Sequence, residues 1–354
     1  MPMANTFQTT QYIVDETLIR LRNTLGFAIT SYRNFENDFK NLKYATGSTI
    51  DYRLEERYLA GEGASAVEED RIQVVRPLTI DKQYHTMVGF NTNELTFDRA
   101  MDQPYLDMYL NPAAKRLANK VEDYIGTQKL KDEVYYAVGT PGTALSFAAL
   151  SDAKAYMDGL AIPDDGQRYM SLSPISAASV AQNLFNNFNN RVNTGALMDG
   201  FVGELANFSI FQTNFLGRHT RGAGAAAGSP PTGYVNGGTV TGGPVSSGSS
   251  LSLTGLNTST TVFTKGDIIE VADAAGVWVV NGLNYQNVQN ASGANQRAQF
   301  VVTADVVSNG AGAATVPISP EIVVSGARQN ISQAIPNGAQ IWLMDSHNVS
   351  VAYH

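Results

Sequence analysis

The sequence contains no cysteine and only four histidines. Without cysteine there are no disulfide staples and no thiolate metal sites. A small secreted scaffold is therefore not expected, and a reducing, intracellular compartment is. His85, His219, His347 and His354 are scattered without metal-ligand spacing, so each reads as structural or solvated. No apolar run approaches the roughly 18 residues needed to cross a bilayer. The opening stretch MPMANTFQTTQYIVDETLIR lacks the basic-then-apolar order of a signal peptide. There is no basic stripe either, and the net charge is −8. Gripping nucleic acid or an anionic membrane requires clustered Lys and Arg, so neither is expected as a bound partner.

Charge is scarcest in the last third. Residues 221–354 carry 4 of the 24 Lys+Arg and 6 of the 32 Asp+Glu. The stretch RGAGAAAGSPPTGYVNGGTVTGGPVSSGSS, 221–250, marks the change. Before it the chain is charged and mixed; after it Val, Thr, Gly and Asn dominate. A chain of 354 residues suggests two or three domains.

Patterning places the elements. Ile13, Leu18, Leu21, Leu25 and Ile29 approximate helical spacing, weakened at Gly26. This is a surface helix on its own domain or an arm laid on a neighbouring subunit. TIDYRL alternates at Ile50, Tyr52 and Leu54, and RIQVVRPLTI alternates around Pro77. The two make a long hairpin whose tip, EERYLAGEGASAVEED, is acidic and polar. An isolated hairpin is marginal in water, so its apolar face needs covering. The spine of the next region is a helix capped by Asn111 with Pro112 at its first position, a shorter helical piece preceding it at about 102–110. Ala113, Ala114, Leu117, Ala118, Val121, Tyr124 and Ile125 form its apolar stripe. Lys115, Arg116, Lys120, Glu122 and Asp123 form the solvated side.

Residues 145–220 mix short helices and strands, with Ser151 a cap and Gly159 a stop. From Leu251, LSLTGL, TVFTKGDIIEVA, GVWVVNG, AQFVVTADVV, AATVPIS, EIVVSG and QIWLMD supply β candidates. Asn-Gly pairs at Asn236, Asn281, Asn309 and Asn337 are expected to turn the chain through positive φ. The fold class is α+β with an all-β barrel or sandwich, and 221–250 is its leading edge with a loose loop inside.

No catalytic set emerges. Gly61, Gly63 and Ala66 fit G-x-G-x-x-A, but they sit at a hairpin tip followed by Glu68, Glu69 and Asp70, which would repel phosphate. There is no G-x-S-x-G elbow and no Walker loop. PDDGQ at Pro163 reads as an acidic turn, and the acidic tip as a solvated loop rather than a cation site. The chain is expected not to be an enzyme and to use no cofactor and no metal.

The residues LNPAAKRLANKVEDYIGTQKL at 110–130 resemble the spine helix of tailed-phage major capsid proteins, specifically the Salmonella podophage coat-protein family with the HK97 fold. FTKGDIIEVA, VVN, TADVV and ISPEIV resemble that family's inserted β-barrel. The resemblance implies an N-terminal arm at 1–46, an extended E-loop at 47–98 and a peripheral domain with the spine at 99–150. It further implies an axial domain at 151–217, an inserted barrel at 218–343 and a return toward the core at 344–354. The family continues with strands that complete the peripheral domain, whereas this sequence reaches His354 about where re-entry would begin. The implied role is a virion shell subunit, assembled in the host cytoplasm. It would pair with itself as hexamers and pentamers, with scaffolding and portal proteins and a decoration protein as partners and packaged DNA as enclosed cargo. Glu55, Glu56, Glu68, Glu69, Arg71 and Arg76 are then placed for ion pairs between subunits. Each would contribute about 0–1 kcal/mol, repeated over every copy. The alternative is a β-rich decoration, tail or adhesion protein.

Overall fold

The computed structural model describes residues 26–31, 46–58, 73–87, 103–133, 136–141, 143–187, 204–225, 228–290 and 292–354. The protein is α+β, and its strands include a closed barrel. The chain divides into two compact units, residues 1–56 with 70–126, and residues 57–69 with 127–354.

In the first unit, β1 (Thr49–Arg53) pairs antiparallel with β2 (Val75–Thr79), Thr49 opposite Thr79 and Arg53 opposite Val75. Ile80 donates to Ser48 and Leu54 donates to Val74 (both 3.0 Å), which sets the hydrogen-bonded pairs at even positions of β1. Pro77, opposite Asp51, therefore falls at a non-hydrogen-bonded position, where its missing N–H costs no ladder bond. The Thr49 and Thr79 hydroxyls meet across the strands at 2.8 Å. Every residue of β2 is exposed, and β1 alternates between exposed and half-buried. The expected acidic tip lies largely outside the described residues.

The short helix α1 (Phe27–Thr30) and the long helix α2 (Gln103–Tyr124) complete the described part of this unit. The periodic residues Ile13 to Leu25 lie outside the described residues. The expected break at Pro112 does not occur: α2 runs through it without interruption. Proline deletes the bond to the carbonyl of Met108. Met108 is 72% exposed and Pro112 is exposed too, so the proline lies on the water side of the helix, where a freed carbonyl is open to solvent rather than stranded in the core. The buried row is Leu110, Ala114, Ala118 and Glu122, one residue every four. Asn111 lies inside the helix and caps nothing. After Tyr124 the helix widens to a π stretch, Ile125–Lys129, then tightens again as α3 (Leu130–Glu133).

In the second unit, α4 (Phe147–Gly159) starts at Ser146, whose hydroxyl accepts from the Ala149 N–H at 3.3 Å. Ser151, the expected cap, lies one turn inside it. β3 (Tyr169–Leu172) leads into α5 (Pro174–Asn187), and β4 (Glu204–Leu205) into β5 (Phe208–Gln212). A four-stranded sheet has the order β16–β3–β5–β4, where β16 is Val351–Tyr353. β3 and β5 are parallel, as a strand–helix–strand crossover through α5 requires. Leu150, Met157, Leu172, Val180 and Phe208 fill the space between this sheet and its helices. Arg168, 1% exposed, ties the acidic turn down: it donates to the carbonyls of Pro163 (3.0 Å) and Ile162 (2.6 Å) and to Asp158 (2.6 Å). PDDGQ is therefore a braced turn, with Asp164 also accepting from Asn207.

The barrel closes in the order β10–β11–β13–β8–β7–β14, all pairs antiparallel. Its strands are β7 (Tyr234–Val240), β8 (Ser247–Thr254), β10 (Ile268–Val271), β11 (Gln299–Val302), β13 (Ala314–Val323) and β14 (Gln340–Met344). Leu251, Leu253, Ile269, Phe300, Val316, Ile322, Ile341 and Leu343 form its interior. AATVPIS and EIVVSG, expected as two strands, are one, with the register shifting between Pro317 and Ile322. GVWVVNG makes only isolated bridges. The Gly-rich 221–250 contributes β7 and the start of β8. β9 (Thr261–Phe263) and β12 (Val306–Val307) pair beside the barrel.

The Asn-Gly pairs work differently from the expectation. Of their glycines, only Gly338 has positive φ. Asn236 sits in β7. At Asn281 and Asn309 the side chain builds the turn: Asn281 Oδ1 accepts from Leu283, and Asn309 Oδ1 from Ala311 and Ala313. An asparagine side chain imitates a backbone carbonyl and so relieves the glycine of that task.

Candidate functional sites: the ribbon, the spine cap and the barrel neck

The β1–β2 ribbon carries the residues expected at subunit contacts. Glu55 and Arg76 are exposed and Glu56 is half-buried, and each has an interaction within the chain. Arg76 lies opposite Tyr52. Glu68, Glu69 and Arg71 lie outside the described residues. Of the ribbon's exposed apolar side chains, Leu78 at 37% belongs to the alternating apolar set expected from the sequence, whereas Val75 at 46% was not singled out. Beyond β2, Tyr84 meets Tyr124 edge-on with centroids 6.0 Å apart, and the Tyr124 hydroxyl donates to Asp81. Gln83, His85, Arg116 and Lys120 help to line a basic cleft of about 280 Å³ there.

Glu122 reverses its expected role. It was placed on the solvated side of the spine, yet it is 4% exposed. Its Oε1 accepts from the N–H groups of Gly26 (3.0 Å) and Ala28 (3.2 Å), and its Oε2 from Phe27 (2.9 Å). These are orphan donors at the start of α1, which no side chain of its own caps. A carboxylate is suited to that end of a helix by charge as well as by hydrogen bonding.

The barrel leaves and rejoins its parent sheet through one neck. β6 (Arg218–His219) pairs with β15 (His347–Asn348), His219 opposite His347. His219 Nε2 donates to Asp267 Oδ1 at 2.7 Å, and the Asp267 side chain is fully buried. Asp267 also accepts from the N–H of Gly222 (3.1 Å), the N–H of Thr264 (2.7 Å) and the Thr264 hydroxyl (3.1 Å). His219 Nδ1 is buried with no partner. Gly222 is needed at this spot, since a Cβ there would lie 2.3 Å from the Val262 carbonyl oxygen.

The His347 ring lies 5.7 Å from that of His219, tilted by 51°, and its Nδ1 donates to the Asp345 carbonyl at 2.8 Å. Burial pushes the His347 pKa down; the Asp345 hydrogen bond opposes this, the His219 ring adds to it, and Asp267 and Asp345 counter it. The unfolded chain therefore takes up this proton first as pH falls. The stabilisation is complete above the unfolded value, about 6.5, and shrinks as pH drops through it. Asp345, held low chiefly by Arg221, acts only in a more acidic range. The thermal midpoint is thus expected to fall between about pH 7.5 and 5.5, and to fall less in His347→Gln. Calorimetry across that range checks it; parallel curves for the two proteins would refute it.

A polar cluster fastens the outer face of the barrel. Glu270 is buried and accepts from the Tyr234 hydroxyl (2.8 Å), the Gln299 amide and Arg297 (3.0 Å). Burial, then the Glu270 charge, pushes the Tyr234 phenol far above its usual range. Gln299 clasps the backbone of Ala137, accepting from its N–H (2.6 Å) and donating to its carbonyl (3.1 Å). Tyr156, Val279 and Val288 bury a second apolar contact nearby, where Asn281 donates to the Gly159 carbonyl. Glu270 and Gln299 lie opposite each other in register. Their alternation with Ile269 and Phe300 puts them outside the barrel, and only the covering segment explains polar residues buried there.

Among the described residues no group of three or more His, Cys, Asp or Glu could hold a metal ion. None of the described helices is long and apolar enough to cross a membrane. No protein-family profile and no curated protein matches the sequence. Among solved structures, the chain is similar to one in the "Capsid structure of the Cyanophage P-SCSP1u". The identity is 14% and the TM-score 0.32, over 86% of this chain and 84% of that one.

Proposed function

We propose that this chain is a shell subunit, the major capsid protein of a tailed bacteriophage, which assembles with copies of itself around packaged double-stranded DNA. The observation that carries the reading is the β1–β2 ribbon, a two-stranded element with Val75 and Leu78 exposed. A ribbon of this kind is marginal alone, and because Val75 and Leu78 lie on opposite faces of β2, neighbouring copies would have to cover both sides. The resemblance of 110–130 to a coat-protein spine supports the same reading, as does a net charge of −8 on a wall that encloses DNA without trapping it. Scaffolding and portal proteins are the partners such assembly would use, and hexamers and pentamers the closed arrangements.

Electron microscopy and sedimentation of the purified chain, with and without its scaffolding protein, test the proposal. Shells or capsomers are expected. Val75→Glu and Leu78→Glu should keep the wild-type thermal midpoint and abolish assembly, because a charge at a buried contact must be desolvated. Assembly by both variants, or monomers alone from the wild type, would overturn it. The barrel by itself would suit a decoration, tail or adhesion protein, but that reading assigns no role to α2 or the ribbon.

A further inference from the structure

The barrel carries an open cavity of about 290 Å³, lined by Asp273, Trp278, Asn290, Ala294, Asn295, Gln296 and Arg297. Trp278 and Arg297 face each other across an antiparallel bridge. Val279 donates to Gln296 (2.9 Å) and Ala298 to Val277 (3.2 Å), so the bridged residues form a non-hydrogen-bonded pair. Such pairs bring their side chains closest together, on one face. Arg297 is held rigidly. It makes a two-pronged bond to Asp273 (2.6 and 3.0 Å), reaches Glu270 at 3.0 Å and lies 4.7 Å from the centre of the Trp342 ring. Asn290 is the hub of the adjoining turn, its Oδ1 accepting from the Ser292 and Ala294 N–H groups.

We infer that this cavity is a binding site for one neutral sugar ring, the exposed end of a glycan. The lining selects that chemistry in three ways. Both carboxylates of the cluster, Asp273 and Glu270, are already paired with Arg297, so no charge in the lining is left without a counter-charge. The guanidinium has N–H groups beyond those used, Asp273 has spare lone pairs, and the Asn295 amide both donates and accepts. A ligand whose groups also donate and accept on several sides, as adjacent hydroxyls do, matches such a surface. The Trp278 indole adds the apolar ring surface that the C–H side of a sugar requires. The volume lies at the lower end of ligand pockets, fit for one ring rather than a long chain. The site is pre-formed, because the ion pairs and the Asn290 turn already fix its walls. It belongs to the barrel alone and does not depend on the shell reading; in any repeated assembly, weak single sites would add by avidity.

The test uses the full chain, titrated with methyl α-glucoside, methyl β-galactoside and N-acetylglucosamine, with adenosine as a ring of another class. Saturation-transfer NMR and tryptophan fluorescence read the binding. At least one sugar should saturate with a Kd on the order of millimolar. Trp278→Ala and the Asn295→Ala/Gln296→Ala double variant should each weaken it about ten-fold or more, while Gln286→Ala, outside the cavity, leaves it unchanged. The double variant alters half-buried surface side chains and guards against misfolding at Trp278. No saturation by any sugar, binding of adenosine alone, or wild-type affinity in a double variant with an unchanged melting midpoint would each overturn the inference.

Discussion

Asp267→Ala is expected to destabilise the barrel and its neck by about 3–5 kcal/mol, because several donors lose their acceptor at once. The Asp267 carboxylate has no exposure and gathers four donors from three residues, His219, Gly222 and Thr264. Alanine would strand two backbone N–H groups inside the protein and leave His219, already lacking a partner at Nδ1, with neither nitrogen bonded. Each stranded group costs about 1–3 kcal/mol. Asp267→Asn keeps one acceptor oxygen and should fall between wild type and alanine. Differential scanning calorimetry measures the effect. A midpoint within a degree or two of wild type in the alanine variant would mean that the neck is held by something other than this carboxylate.

Glu122→Ala should cost about 2–4 kcal/mol and release α1 from the spine, since three backbone donors lose a charged acceptor together. Glu122→Gln discriminates. One of its two terminal atoms becomes a donor, so whichever way the amide turns, at least one of Gly26, Phe27 and Ala28 meets an N–H instead of an oxygen. The glutamine variant should therefore lose less than alanine but clearly more than a surface substitution. Hydrogen exchange reads this locally, with the amides of 26–28 exchanging faster in both variants. Unaltered protection there would remove Glu122 from the role assigned to it.

Glu122 also marks where sequence reading stops. Its charge placed it on the wet side of α2, although its spacing, four residues past Ala118 and eight past Ala114, put it on the buried row. Spacing was the better guide, because the partners of a buried carboxylate were backbone groups far away in sequence, which no periodicity reveals. The same limit hid Glu270 and Gln299, whose cover comes from Ala137 and Tyr234. Local alternation was enough to locate the β1–β2 ribbon and most barrel strands, since each is decided by its own side chains. Pro112 misled because local rules price the lost hydrogen bond without knowing whether water can replace it. Ser151 misled because a second serine five residues earlier, Ser146, takes the cap and lets the helix begin at Phe147. In β7 the glycines read as looseness, whereas Gly238 is required there: its φ is +85°, and a Cβ would meet the Thr254 carbonyl oxygen at 2.6 Å.

The pairing of His219 with His347 has a practical meaning for protein engineering. Residues directly opposite in antiparallel strands lie only about 5 Å apart, so the chain departs for the barrel and comes back at almost one point. The barrel is in effect a cassette. Another polypeptide whose own termini are neighbours could be spliced between β6 and β15 without re-registering β16 on β3. Such a guest must still shelter what the barrel now shelters, the Tyr156 ring and the backbone of Ala137. A transplant that meets the geometry but not that second demand would thread correctly and still leave its host prone to clump.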